Sequence, residues 1–136
     1  MYKLVLCILL LLQTYSLAGQ EDNSIQPDSV IIYRLPPYRH YLVGVNCDRL
    51  KKMPDLSIKR ITNQNKIRKA YKKLNDLSVL VADTSFKTID SRVLIVFKHK
   101  DIILREVCGT AMTNMMQVDG RVYRIDSYLE HYLFQE

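Results

Sequence analysis

The chain has 136 residues, of which 48% are hydrophobic and 25% charged, and its formal net charge is +6 at pH 7. This length is that of one ordinary domain, and no internal repeat, low-complexity tract or linker divides it, so the sequence predicts a single domain. The cationic balance favours acidic partners over basic ones.

The first residues have the pattern of a secretory signal peptide. Lys3 precedes the apolar run 4–12, and the small residues Ser16 and Ala18 lie at the −3 and −1 positions of a cleavage site. The apolar run is about half of the roughly 20 residues that a membrane-spanning helix needs. We therefore expect a signal peptide at 1–18, no transmembrane anchor, and one domain at 19–136 in the periplasm or outside the cell.

The cysteines are interpreted through this expected export. Cys7 would leave with the signal peptide, so that Cys47 and Cys108 remain. Exported compartments are oxidising, and two remaining cysteines most simply pair with each other. The alternative, a redox or nucleophilic thiol, lacks the Cys-x-x-Cys spacing that would support it. The sequence predicts one structural disulfide.

The first third of the mature chain is predicted to be extended, with one short helical turn. A β-branched run at 30–35 predicts a strand, which Pro36 ends because proline cannot donate to a ladder. From Arg39 the alternation resumes, and Asp48 is placed to cap a helical turn through Met53. The side chains that this alternation puts on one inward face are Tyr41, Val43, Val45 and Cys47.

The segment 62–77 is the best predicted helix. Its apolar residues recur at spacings of three and four with polar residues between them, which is typical of an amphipathic helix. A short edge strand at 78–82 and a loop at 83–88 are expected to follow. The apolar face consists of Ile67, Ala70, Tyr71, Leu74 and Leu77.

The segment 89–125 predicts consecutive antiparallel strands. Asp119 and Gly120 separate two strand-like runs, and such a pair favours a type I′ hairpin turn, in which both central residues have positive φ. This register would place Met116 opposite Tyr123. The expected fold class is α+β: an antiparallel meander of four to six strands packed by one amphipathic helix and a short C-terminal helix, with one disulfide.

A capping box predicts where that C-terminal helix begins. Ser127 is followed three residues later by Glu130, so each side chain is expected to satisfy a free backbone donor of the other residue. A helix of about two turns should follow and bury Leu129, Tyr132 and Leu133.

The basic residues are concentrated between positions 51 and 73. Nine basic residues accompany one acid there, a net charge of +8, whereas the mature chain totals +5 and the rest of it therefore carries −3. Such a field attracts an acidic protein, an anionic lipid or polysaccharide, or nucleic acid. Nucleic acid is disfavoured because no aromatic residues are interleaved for base stacking. The candidate partner-binding face consists of Lys66, Lys69 and Lys73, and the competing interpretation is a solvated helix face.

The corner at 36–41 is a second candidate. Tyr38 and Arg39 follow the rigid proline pair, and both residue types are enriched in protein-interface hot spots. The competing interpretation is a turn whose tyrosines pack onto the core.

Motifs for catalysis and metal binding are missing from the sequence. It has no Gly-x-Ser-x-Gly element and no glycine loop that could cradle a phosphate, and its histidines lack metal-ligand spacing. The expectation is a non-enzymatic exported protein-binding module without cofactor or metal, such as an inhibitor, immunity or accessory protein. The alternative is a binder of anionic lipid or polysaccharide through the cationic helix face.

Overall fold

The computed structural model describes residues 25–36, 41, 44–110 and 113–135. In these ranges six strands form one antiparallel sheet in the order β2-β1-β3-β4-β5-β6, accompanied by three α-helices. The predicted α+β class and antiparallel meander are therefore confirmed. The strands are β1 Ser29–Arg34, β2 Ser57–Ile61, β3 Val93–His99, β4 Ile102–Gly109, β5 Met115–Val118 and β6 Arg121–Arg124, and the helices are α1 Cys47–Leu50, α2 Gln64–Asn75 and α3 Leu129–Phe134.

Strands β1 and β3 form the centre of the sheet, and their composition explains why. Val30, Ile31 and Ile32 of β1 are buried in succession, as are five consecutive residues of β3 from Val93 to Phe97. A strand with apolar residues on both faces must be covered on both faces. The six-residue register between β1 and β3, in which Ile32 faces Ile95, joins these two apolar strands.

The hairpin between β5 and β6 has the predicted turn. Asp119 has φ 49° and Gly120 has φ 78°, the left-handed conformation that a type I′ turn needs at both central residues. Met116 pairs with Tyr123 across this hairpin, as predicted. The hairpin therefore sets its own register through local turn chemistry.

The two faces of the sheet carry different layers. Helices α2 and α3 cover one face, where Ile67 and Leu74 of α2 and Leu133 of α3 join the larger core cluster. The other face is covered by the segment 44–56, whose buried Val45 and Leu50 pack against the side chains of β3 and β4. The sheet is thus the middle layer of three.

A disulfide ties the smaller layer to the sheet, as the sequence predicted. Cys47 at the start of α1 is bonded to Cys108 of β4, with a Cα–Cα distance of 5.8 Å. Cys108 is fully buried.

The extended conformation predicted around Cys47 is wrong, because Cys47 begins α1. The N-cap is Asn46, whose side-chain oxygen accepts a hydrogen bond from the Arg49 amide at 2.9 Å, whereas Asp48 lies in the first turn. An asparagine cap outweighs a short alternation that only tertiary pairing could stabilise. The helix ends at Leu50, before the predicted Met53. Val43 lies outside the described residues.

Two further element predictions are corrected. The segment 78–82 is not a strand: a 3₁₀ helix at Leu77–Val79 precedes a single bridge between Ala82 and Tyr123. The capping box is absent, because the N-cap of α3 is Tyr128, which makes no side-chain cap hydrogen bond, and Glu130 is ion-paired with Arg34.

The two predicted helices are present with different bounds. α2 is two residues shorter at each end than the predicted 62–77, because Asn63 caps its start and Asp76 follows its end. α3 buries Leu129 and Leu133 as predicted, while Tyr132 is only partly buried. Within the described ranges, no helix has both the length and the apolar character that crossing a membrane requires.

Candidate functional site

Helix α2 presents a dense row of cations because its apolar side faces the sheet. Asn63 accepts a hydrogen bond from the Lys66 amide at 3.1 Å and starts the helix, and Ile67, Ala70 and Leu74 then point into the core. Tyr71 is partly buried against the same core, whereas the polar positions are turned outward, and the helix contains no Asp or Glu. Its exposed basic residues are Lys66, Arg68, Lys69, Lys72 and Lys73.

The three predicted partner-binding lysines line one recess. Lys66, Lys69 and Lys73 are on the side of α2 that faces the end of α3, and with residues 133–135 they enclose about 860 Å³. We call this recess the α2–α3 groove. Its apolar wall is formed by Leu133 and Phe134.

Lys73 also contacts α3 directly. Its Nζ donates to the Tyr132 carbonyl at 3.1 Å and lies 5.7 Å from the centroid of the Tyr132 ring. The carbonyls of the last helical turn have no hydrogen-bond partner within the helix. A cation near them also interacts favourably with the negative end of the helix dipole. Burial raises the pKa of the Tyr132 phenol above its ordinary value, and the charges of Asp126 and Asp76 act in the same direction.

A second recess adjoins the groove on the helix-covered face of the sheet. It encloses about 540 Å³ between β1, β2 and the start of α3, and we call it the cleft. Its lining includes the buried apolar residues Ile32, Val93 and Leu129 and, among polar residues, Lys59 and Lys66. Lys59 is on this face because it pairs with Ile32 across β1 and β2.

Lys66 is common to both recesses. The groove and the cleft also share Phe134 and Gln135, so the two recesses adjoin each other. Arg68 and Lys72 do not line the groove; they line a third recess on the outer surface of α2, to which Lys66 and Lys69 also contribute. We call the three lysines of the groove the inner row, and Arg68 and Lys72 the outer row.

Several charged residues outside α2 form ion pairs. Arg34 is ion-paired with Glu130, and Arg92 lies 2.8 Å from an oxygen of Asp90. Further ion pairs join Lys51 to Glu106, Arg105 to Asp119 and Arg124 to Asp83.

The structure brings the predicted site residues Lys66, Lys69 and Lys73 together at the groove. The other two predicted site residues, Tyr38 and Arg39, lie outside the described residues. Lys59 was counted in the cationic stretch but was not predicted as a site residue, because β2 was not predicted. The segment 57–61 shows no clear alternation and is mostly exposed, so its strand depends on pairing with β1. Among the described residues, no group of three or more His, Cys, Asp or Glu side chains is placed to hold a metal ion.

Comparison with protein-family models, with curated proteins and with solved structures found no match.

Proposed function

We propose that this protein is a non-enzymatic binding module that captures an acidic protein through the cationic face of α2, as an inhibitor, immunity or accessory protein would. The observation that carries the proposal is the exposure of five basic residues on one helix that contains no acid. A field of one sign on one side of a small molecule steers an oppositely charged partner toward that side.

The shape of this face favours a protein over an anionic lipid or polysaccharide. The groove combines Lys66, Lys69 and Lys73 with the partly buried ring of Phe134. Protein interfaces combine apolar and aromatic contacts with charged groups in this way. A polymer that carries only anionic groups would bind the lysines but would make no apolar contact with the wall of the groove.

Export is part of the same proposal. The leader-like pattern at 1–18 and the disulfide between Cys47 and Cys108 both support a periplasmic or extracellular location, since disulfides persist in oxidising compartments. The partner would then be met outside the cytosol.

The test compares two variants with equal changes in net charge. Lys66→Glu/Lys69→Glu reverses charge on α2, whereas Lys87→Glu/Arg121→Glu reverses two exposed basic residues away from α2. Affinity capture with wild type and both variants as baits, read by quantitative mass spectrometry, should give an acidic protein that is lost only with the α2 variant.

The association rate of that protein is then measured at ionic strengths of about 0.01 M and about 0.15 M, where the Debye length is roughly 30 Å and 8 Å. Wild type should associate severalfold faster than the α2 variant at the lower value, and the difference should shrink at the higher value. Equal loss with both variants would contradict the proposal. Binding to anionic vesicles or polysaccharide alone, abolished by moderate salt, would favour the alternative partner class.

A further inference from the structure

We infer that the part of the acidic partner that α2 captures is an extended segment, with acidic residues at alternate positions, which lies in the groove and places an apolar side chain in the cleft. This inference rests on the proposed function and specifies the chemistry and shape of the ligand. Three observations carry it: the spacing of the lysines, the lining residues that the two recesses share, and the apolar residues that form part of the cleft lining.

The lysines that face α3 have the spacing of an extended acidic chain. The rise from Lys66 to Lys69 is about 4.5 Å along the helix axis and that from Lys69 to Lys73 about 6 Å. In an extended peptide, every second side chain points the same way at intervals of about 6.5 Å. Lysine side chains are long and flexible enough to take up the difference, so acids at alternate positions can each meet one lysine.

The shared lining of the two adjoining recesses gives such a segment a path. The groove and the cleft share Lys66, Phe134 and Gln135, and together they run from Lys73 to Lys59. A flat acidic surface would contact the outer row, Arg68 and Lys72, as well as the inner row. A narrow extended segment would contact the inner row alone.

The cleft explains why the segment should include an apolar residue. Ile32, Val93 and Leu129 are among its lining residues, and its volume of about 540 Å³ is in the range of pockets that hold small ligands. Burying one leucine or phenylalanine side chain there removes apolar surface from water, which favours binding. Lys59 and Lys66 also line the cleft and would pair with the acidic residues on either side of that apolar residue.

The test uses a synthetic peptide in which glutamate alternates with serine and two leucines follow. A matched peptide has serine in place of both leucines. Binding of each fluorescein-labelled peptide is measured by anisotropy at about 0.15 M ionic strength, where long-range attraction is largely screened. The full-length protein is compared with Lys66→Glu/Lys69→Glu on the inner row and Arg68→Glu/Lys72→Glu on the outer row, which change the net charge equally.

Wild type should bind the leucine peptide more tightly than the serine peptide. The inner-row variant should lose about tenfold or more in affinity and the outer-row variant less than about threefold, because screened charges act mainly at contact. Ile61 and Leu129 both line the cleft, so their methyl resonances should shift with the leucine peptide and stay in place with the serine peptide. Lys66→Gln/Lys69→Gln repeats the inner-row test without charge reversal, and thermal melts check that each variant is folded.

The outcomes separate this inference from the proposed function. Equal losses for the two rows, or no preference for leucine, would overturn the extended segment and leave capture by the general field of α2 intact. A further outcome is that wild type binds neither peptide while the inner-row variant no longer binds the natural partner. That result too would overturn the extended segment and leave capture by the field of α2 intact. A natural partner that binds every α2 variant as well as wild type would overturn both.

Discussion

At the scale of single residues, two glycines are required for different physical reasons. Gly120 has φ 78°, and a Cβ added there would meet no atom within 4 Å, so only its backbone conformation restricts it. Gly109 lacks a positive φ, but a Cβ added there would lie 2.7 Å from the Cβ of Leu129. The turn requires glycine at position 120, and the close approach of α3 to β4 requires glycine at position 109.

Replacing Gly120 with valine should lower the free energy of unfolding by more than about 1 kcal/mol, because a β-branched residue is strained at positive φ. The denaturant midpoint measures the effect. Gly44→Ala is the control, since its added Cβ would have only an ordinary contact with Asp90 at 3.8 Å. An unchanged midpoint for Gly120→Val would show that the turn adopts another conformation.

Replacing Gly109 with alanine should cost about 1–3 kcal/mol through overpacking. The clash is with a Cβ, so no rotamer change of Leu129 relieves it and α3 must move away from β4. We expect a lower melting temperature together with faster hydrogen exchange at the amides of α3. If exchange in α3 stays at the wild-type rate, the close approach of the two elements is incorrect.

At the scale of elements, the predictable parts are those that local chemistry determines. The apolar spacing of Ile67, Ala70 and Leu74 predicted α2, and Asp119-Gly120 predicted the turn and register of the last hairpin. These signals depend on neighbours in sequence, so the chain itself displays them. The cationic row of α2 was predictable for the same reason.

The elements that sequence reasoning missed depend on distant partners. Strand β2 is exposed along most of its length and exists through pairing with β1, which lies 23 or more residues earlier. Glu130 forms an ion pair with Arg34 across 96 residues instead of closing a capping box. The cleft requires β2, β1 and α3 together, so the sequence did not predict it. Of the neighbouring groove, the sequence predicted the lysines but not the wall that α3 contributes.

Lys73 joins α2 to α3, so replacing it should destabilise α3. Lys73→Met should cost about 1 kcal/mol, because the Tyr132 carbonyl loses a charged donor at the end of a helix. Hydrogen exchange should accelerate at the Gln135 amide, which donates to the His131 carbonyl and closes the last turn of α3. Lys72→Met is the control on the outer row. Equal stability and exchange for the two variants would contradict an anchoring role for Lys73.

At the scale of the whole molecule, the sheet separates two layers with different attachments. The helical layer of α2 and α3 packs through the larger core cluster, which contains residues of every strand except β2. The layer formed by 44–56 packs through a smaller cluster over β3 and β4. The disulfide and the ion pair between Lys51 and Glu106 attach this smaller layer to β4. The proposed binding surface lies on the helical side, so the disulfide supports the protein from the face opposite the site.

Loss of the disulfide should therefore destabilise the protein and loosen the smaller layer first. Cys47 and Cys108 are 61 residues apart, and opening a loop of that size costs about 4 kcal/mol in the chain-entropy model. We expect Cys47→Ala/Cys108→Ala and the reduced wild type to have similar, lowered denaturant midpoints, since both lose the same cross-link. Under native conditions the Leu50 amide, bonded to the Asn46 carbonyl in α1, should exchange much faster than in the oxidised protein. The amide of Leu74 in α2, on the other side of the sheet, should be affected less, because its protection comes from the larger cluster. An unchanged midpoint in both the variant and the reduced protein would show that the smaller layer is held by its packing without the covalent bond.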